Sequence, residues 1–191
     1  MNEREIMEIF TKMRAYQTGH FKLSSGLHSG AYLQCALVLQ APVLAARLCG
    51  VLAEKFRADG PDLIIGPAMG GITMAYEMAR ALNARAIFAE RDKEGKMCLR
   101  RGFIVSPKNR VLIAEDVLTT GGSVKEVIKL LAEDSITPLG VACLVDRSSE
   151  RIDFGGIKHE SLIKLDIPVF REDECPLCQE GMSITKPGSR K

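Results

Sequence analysis

The stretch that decides the fold is RVLIAEDVLTTGGSV, residues 110–124. Its first part, residues 111–115, is β-branched or aliphatic up to Ala114 and predicts a buried strand of a parallel sheet. Glu115 and Asp116 then place two carboxylates at the carboxyl end of that strand, where open α/β sheets bind their ligands. A small, hydroxyl-rich loop follows and opens a helix, so backbone N–H groups and the helix dipole converge there. The stretch therefore predicts a phosphate site beside two acids.

The neighbouring acids and anion loop restrict the ligand. Two adjacent carboxylates repel an anion unless they bind something neutral or cationic, such as sugar hydroxyls or Mg²⁺. A ribose that carries a 5-phosphate satisfies both parts of the site. The loop is neither a Walker loop, because no Gly-Lys-Ser/Thr follows, nor a GxGxxG turn. A strand-turn-helix with an incidental TTGGS is the remaining alternative.

The same stretch resembles the 5-phosphoribosyl-1-diphosphate (PRPP) signature of the type I phosphoribosyltransferases: an apolar strand, an acidic pair and then Thr-Thr-Gly-Gly-Ser. The resemblance implies an α/β fold, with a central, mainly parallel sheet flanked by helices and a small hood from the N-terminal segment. It also implies that the acids hold the ribose hydroxyls and steady positive charge, while the loop grips the 5-phosphate. The PRPP residues it implies here are Glu115, Asp116, Val117, Leu118, Thr119, Thr120, Gly121, Gly122 and Ser123.

A second glycine-rich loop, GPAMGG at residues 66–71, lies between a predicted strand at 63–66 and a predicted helix at 72–82. Small residues there let backbone N–H groups approach a diphosphate directly. The loop resembles the family's pyrophosphate loop, which implies PRPP contacts from Ala68, Met69 and Gly70 and a cis peptide between Ala68 and Met69. Many members have a lysine in this loop, where this chain has Gly70.

Residues 91–101, RDKEGKMCLRR, are strongly basic although the chain as a whole is nearly neutral. They contain five basic residues and two acids, which gives a local net charge of 5 − 2 = +3. Charge alone favours a solvated, disordered connection. The segment resembles the mobile flap of orotate-type members, which closes over the diphosphate and reaches the neighbouring subunit's site. That resemblance implies a homodimer and catalytic contacts from Arg91, Lys93 and Lys96. The family's flap histidine is missing here.

Three stretches resemble the orotate branch of the family: FKLSSGLHSGAYLQ (21–34), the flap with its following residues (91–103), and VDRS (145–148). The resemblance implies transfer of the phosphoribosyl group from PRPP to orotate, with Mg²⁺ held mainly by diphosphate and hydroxyl oxygens and no protein metal ligand assigned. The orotate contacts implied are Arg147 to the carboxylate, Thr119 to the ring, and Tyr32 and Leu33 from the hood. An ion pair of Arg147 with Asp146 or Glu150 is the alternative for that side chain.

The length and composition predict a single domain with an appendage. The resemblance implies that this is one phosphoribosyltransferase domain over residues 1–191, with its core at about 42–166 and a hood from about 18–40 plus the C-terminal part. A net charge of +2 gives no reason to expect nucleic acid as a partner. The most apolar region is too polar to span a bilayer, and the start, MNEREIME, is not a signal peptide, so we expect a cytoplasmic protein. Further strands are predicted at 102–105 and 161–165, and a loosely held tail after residue 179.

Six cysteines are present, and Cys35, Cys49 and Cys143 lie in apolar patterns typical of buried, reduced thiols. Cys175 and Cys178 form a CxxC pair, but the sequence shows no second pair or nearby histidine that would complete a four-ligand metal site. Metal binding by this pair is therefore expected, if at all, across a dimer interface. A structural or incidental pair is the favoured alternative.

Two other functions fit the PRPP signature. A purine or xanthine phosphoribosyltransferase would keep it but needs aromatic stacking over the base, and the loop after Val145 has no Tyr or Phe before Phe154. A PRPP-sensing regulator that binds nucleic acid would keep the fold without catalysis, but it needs a basic face beyond the flap, and a net charge of +2 argues against one.

Overall fold

The computed structural model describes residues 1–23 and 25–187. Its helices are α1 (Glu3–Lys12), α2 (Ala36–Leu39), α3 (Pro42–Glu54), α4 (Gly70–Leu82), α5 (Gly122–Glu133) and α6 (Pro176–Gln179), with short 3-10 turns at Arg57–Asp59 and Glu172–Glu174. Its strands are β1 (Tyr16–Lys22), β2 (His28–Leu33), β3 (Leu63–Pro67), β4 (Arg85–Arg91), β5 (Met97–Cys98), β6 (Val111–Leu118), β7 (Gly140–Asp146), β8 (Lys158–Lys164) and β9 (Val169–Phe170). No described helix is both long and apolar enough to cross a membrane.

The main sheet has six strands in the order β5-β4-β3-β6-β7-β8. Every neighbouring pair is parallel except β4 and β5, which are antiparallel. The predicted α/β architecture with a mainly parallel sheet is therefore confirmed. The order places β6 beside β3 at the centre, so the acidic pair and the GPAMGG loop emerge at the same edge of the sheet, where open parallel sheets bind ligands.

The central strands are buried on both faces, as their continuous apolar runs predict. Alternate residues of β6 contribute to opposite cores: Leu112 and Ala114 pack with α3 and α4, whereas Val111 and Ile113 pack with residues of α5. Cys35, Cys49 and Cys143 lie in these cores, as predicted. The sheet is thus a rigid layer between helices, and its carboxyl edge is held firmly.

A second, three-stranded antiparallel sheet has the order β1-β2-β9 and forms the hood. Its strands include the segment near residues 18–34 that the sequence predicts, and β9 supplies the C-terminal part. The tail is held more firmly than predicted, because Thr185 donates its N–H to the carbonyl of His20 and accepts from the N–H of Lys22. The C-terminal segment therefore packs on the hood as far as it is described.

The N-terminus of α1 is capped, because Asn2 and Glu5 exchange reciprocal side-chain-to-backbone hydrogen bonds of 2.8 and 3.0 Å. The strand predicted at residues 102–105 is wrong, because these residues form a turn and an irregular segment rather than a strand. Phe103 instead packs edge-on against Phe88, with 5.2 Å between ring centroids.

Candidate functional site

The loop between β6 and α5 forms an anion cradle. Gly121 has a φ of +72°, and a Cβ there would lie 2.9 Å from the ring of Phe154, so only glycine fits. Gly121 caps α5 without a side-chain hydrogen bond, which leaves the first-turn N–H groups available to a ligand. These groups face a pocket of about 210 Å³. It is lined by Arg91, Glu115, Val117, Leu118, Thr119, Thr120, Gly121, Gly122, Ser123, Val124 and Glu126.

The two acids lie within β6 rather than after it, because the strand continues to Leu118. Glu115 is buried, with 8 % of its surface exposed, whereas Asp116 is only partly buried. Burial, together with the negative charge of Asp116, raises the pKa of Glu115 from 4.5 to about 9. Glu115 is therefore protonated at neutral pH, and the pair offers an O–H donor beside carboxylate acceptors.

The raised pKa of Glu115 makes stability depend on pH in a defined direction. Between pH 4.5 and about 9 the folded chain keeps a proton that the unfolded chain has lost, so the free energy of unfolding falls as the pH rises. Glutamine at this position has no such proton to lose. We expect Glu115→Gln to be more stable than wild type by about 3 kcal/mol at pH 7, with little difference at pH 4.5.

Urea unfolding at pH 4.5, 7 and 8.5 measures this difference. It should widen steadily with pH and level off above pH 9. A difference that stays constant across this range would show that Glu115 ionises normally in the folded state.

The GPAMGG loop lies against the acidic pair. A Cβ on Gly70 would come within 2.5 Å of the Asp116 carboxylate, so the absence of a side chain at 70 lets the two loops meet. Gly66 has no room for a Cβ either, because the atom would overlap the backbone carbonyl of Gly71. The peptide between Ala68 and Met69 is cis, as the resemblance implies. The lysine that many relatives have in this loop could not occupy position 70 without displacing Asp116.

A larger cleft of about 820 Å³ opens between the sheet edge and the hood. Arg147 lines it from the end of β7, Thr119 from the phosphate loop and Tyr32 from the hood. The Arg147 guanidinium has no carboxylate within 4.0 Å among the described residues, so the predicted alternative, an ion pair with Asp146 or Glu150, is wrong. Asp146 instead accepts from Ser148 at 2.6 Å. Arg147 is half-buried, and this burial lowers its pKa.

The flap cations pair mostly within the chain. Arg91 forms a forked ion pair with Glu126 of α5, with N–O distances of 2.6 and 2.9 Å, and it lines the phosphate pocket of its own subunit. Lys96 lies 3.6 Å from Glu133, and both Arg100 and Arg101 contact Glu90. Lys93 has no ion-pair partner within the described part of the chain. In this conformation neither Lys93 nor Lys96 reaches either pocket.

Comparisons with known proteins agree with this geometry. Residues 38–154 match the phosphoribosyl transferase domain family. The orotate phosphoribosyltransferase of Caldanaerobacter subterraneus is 51 % identical over 191 residues, which is all of both chains, and that of Carboxydothermus hydrogenoformans is 50 % identical over 98 % of each. The chain belongs to the orotate phosphoribosyltransferase family.

Solved structures of this family share the fold. The orotate phosphoribosyltransferase of Aeropyrum pernix superposes with a TM-score of 0.68 at 25 % identity, covering 84 % of this chain and 93 % of that one. The Mycobacterium tuberculosis enzyme, solved with inorganic phosphate, gives a TM-score of 0.65 at 26 % identity, covering 83 % and 94 %.

The sequence-based prediction of the cleft residues was incomplete, and it wrongly included one residue. Leu33 lies in the hydrophobic core with 8 % of its surface exposed and does not line the cleft, because it points away from the face that presents Tyr32. The missed lining residues come from the hairpin tip, the residue that follows β2, the loop after β7 and the C-terminal segment. They are Leu23, Ser25, Leu27, Gln34, Ser149, Asp166, Ile167, Pro168, Val169, Lys186 and Pro187.

Proposed function

We propose that this protein transfers the 5-phosphoribosyl group from PRPP to orotate, releasing diphosphate and giving orotidine 5′-monophosphate for pyrimidine synthesis. The observation that carries the proposal is the half-buried Arg147 guanidinium, which faces the cleft beside the phosphate loop and has no carboxylate partner among residues 1–23 and 25–187. A guanidinium in that position can bind a planar carboxylate through two parallel hydrogen bonds. Orotate is a pyrimidine that carries such a carboxylate.

The acidic pair serves the ribose in this reaction. Breaking the bond at the anomeric carbon builds positive, oxocarbenium-like charge on the sugar, so groups that bind this charged state better than the substrate accelerate the reaction. Asp116 can accept from a ribose hydroxyl and stabilise the charge, while protonated Glu115 can donate to a second hydroxyl oxygen. The first-turn N–H groups of α5 and the hydroxyls of Thr119, Thr120 and Ser123 would hold the 5-phosphate.

The departing diphosphate lies, in this proposal, against the backbone of the GPAMGG loop. Asp116 is a carboxylate beside the protonated Glu115, and the two acids form no larger acidic cluster with the rest of the described chain. Such a pair fits Mg²⁺ that arrives with the substrate, because Mg²⁺ keeps most of its ligands as water and phosphate oxygens. When bound, Mg²⁺ neutralises charge on the leaving diphosphate.

We propose a homodimer in which flap residues 91–101 serve the partner's site. Three large apolar side chains, Val43, Met69 and Tyr76, are 65–82 % exposed on or beside α3 and α4, which suits a subunit interface. Lys93 lacks an ion pair within the described chain, so it is available to a ligand outside its own subunit. The pairs that hold Lys96 and Arg91 are solvent-exposed, and such pairs contribute only about 0–1 kcal/mol, so the flap can rearrange.

The flap makes a testable contribution to turnover. We expect Lys96→Ala to lower kcat on the order of 10²-fold while the KM for orotate changes by less than about threefold, because a cation over the diphosphate interacts with charge that grows in the transition state. Steady-state kinetics with both substrates varied measures the two constants separately. Lys129→Ala, which removes an exposed lysine of α5 outside both pockets, is the control. Wild-type turnover in Lys96→Ala would remove this residue from the catalytic set.

One assay tests the proposed reaction directly. Orotate consumption is followed spectrophotometrically with PRPP, with and without Mg²⁺, and orotate is compared with uracil, adenine and xanthine as acceptors. Orotate should be used and uracil, which lacks the carboxylate, should not. Faster turnover of a purine than of orotate would reject the proposal.

A further inference from the structure

Four metal-ligating side chains converge beneath the hood, away from the cleft. They are His20 of β1, His28 of β2, and Cys175 and Cys178 of the C-terminal segment. One ligand atom from each lies within 4.8 Å of all the others. The sequence-based expectation that the chain cannot complete a four-ligand site by itself is therefore wrong. The antiparallel hairpin of β1 and β2 brings the histidines together. The C-terminal segment then places the two cysteines beside them, although they are about 150 residues further along the chain.

The distances match a tetrahedral site. His20 Nε2 lies 3.1 Å from His28 Nδ1 and 3.6 Å from each cysteine Sγ, and Cys178 Sγ lies 3.2 Å from His28 Nδ1. In a zinc site with Zn–S of about 2.3 Å and Zn–N of about 2.0–2.1 Å, neighbouring ligand atoms are about 3.3–3.8 Å apart. The four distances given lie in or just below this range, and the other two pairs of ligand atoms lie within 4.8 Å, so the four atoms can converge on one ion.

Surrounding groups orient both imidazoles for this task. His20 Nδ1 donates to the carbonyl of Met182 at 2.8 Å, which leaves Nε2 unprotonated and aimed at the cluster. His28 directs Nδ1 at the cluster, and its buried Nε2 has no hydrogen-bond partner in the part of the chain that the structure describes but lies 3.9 Å from the Glu172 carboxylate. A backbone carbonyl or carboxylate behind each ligating histidine is the usual arrangement of protein metal sites.

Burial and thiol state agree with a closed, structural site. His20 and His28 are 4 % and 2 % exposed, Cys175 is fully buried and Cys178 is partly buried. Four protein ligands fill a tetrahedral coordination shell, which is typical of a structural site. Both thiols are free rather than joined as a disulfide. Two thiolates and two imidazoles in tetrahedral arrangement favour Zn²⁺ over Mg²⁺ or Ca²⁺, which prefer oxygen ligands.

We propose that His20, His28, Cys175 and Cys178 bind one structural Zn²⁺ ion that fastens the C-terminal segment to the hood. The segment needs such a fastening, because β9 pairs with β2 over only two residues and α6 is a single turn. The same segment supplies Ile167, Pro168 and Val169 to the roof of the cleft. The ion would therefore hold this side of the cleft in place, although none of its four ligands lines the cleft.

Metal analysis of the untagged, full-length protein, produced with added zinc and then dialysed, tests the proposal. We expect about one equivalent of zinc per chain by mass spectrometry of the metal. The double variant Cys175→Ser/Cys178→Ser should lose it and melt at a lower temperature. Cys98→Ser and His159→Asn, which change the same residue types elsewhere in the chain, should keep the full equivalent.

A second measurement does not depend on the folding of any variant. Wild-type protein stripped by a chelator and loaded with Co²⁺ should show the visible absorption bands of tetrahedral Co²⁺ and a near-ultraviolet band from thiolate ligation. Wild-type protein that takes up neither ion, a Cys175–Cys178 disulfide in the purified chain, or full zinc content in the double variant would each overturn the proposal.

Discussion

Asp116→Asn is expected to lower kcat/KM on the order of 10²- to 10³-fold, the scale on which a single charge-stabilising group contributes to catalysis. Burial, together with the charge of the neighbouring acid, raises the pKa of Glu115 to about 9, so Glu115 keeps its proton at neutral pH. Asparagine preserves the size of the side chain and the acceptor that receives the Val117 N–H at 2.9 Å. The variant therefore removes the charge and little else. Steady-state kinetics at pH 7 with PRPP and orotate measures the loss.

Glu115→Gln is the matched control for that experiment. Glutamine resembles the protonated form of Glu115, so this variant should keep activity within about tenfold of wild type at pH 7, a far smaller loss than that of Asp116→Asn. Equal losses in the two variants would mean that the negative charge is shared or sits on Glu115. The urea experiments on Glu115→Gln test the same assignment independently, through stability rather than through rate.

Arg147→Met is expected to lower kcat/KM for orotate about 10²- to 10³-fold, since truncating one partner of a desolvated charge pair costs about 2–5 kcal/mol. Methionine keeps much of the apolar stem of arginine but cannot form the forked hydrogen bonds to a carboxylate. The affinity for PRPP should change little, because Arg147 lines the large cleft and not the phosphate pocket. Kinetics with orotate varied, together with PRPP binding measured by calorimetry, separate the two effects.

Arg85→Met provides the control, because Arg85 is an exposed arginine at the amino end of β4, on the edge of the sheet opposite the cleft. It should behave as wild type. An Arg147→Met enzyme that keeps its orotate efficiency would show that another group binds the carboxylate, and Lys186, which also lines the cleft, would be tested next.

Local patterns in the sequence determined the elements that carry the site. The apolar run of β6, the small residues of the phosphate loop and the periodic pattern of α5 specify a strand, a turn and a helix in succession, because each pattern matches the backbone period of its element. The place of Arg147 at the end of a buried strand followed in the same way, since the carboxyl ends of parallel strands share one edge. Strand alternation also contained a signal that was missed: Tyr32 and Leu33 are adjacent in β2, so only one of them can face the cleft.

Only the tertiary structure determined the features that arise from contacts between residues far apart in the sequence. The pKa of Glu115 is set by burial and by its neighbour's charge, and no sequence pattern gives the depth of a side chain below the surface. Gly70 meets Asp116 only because β3 and β6 are adjacent in the sheet. The two histidines and two cysteines come together only because the C-terminal segment packs against the hairpin of the hood. Sequence spacing fixes neighbours within one element, whereas contacts between distant segments follow from the packing of the whole chain.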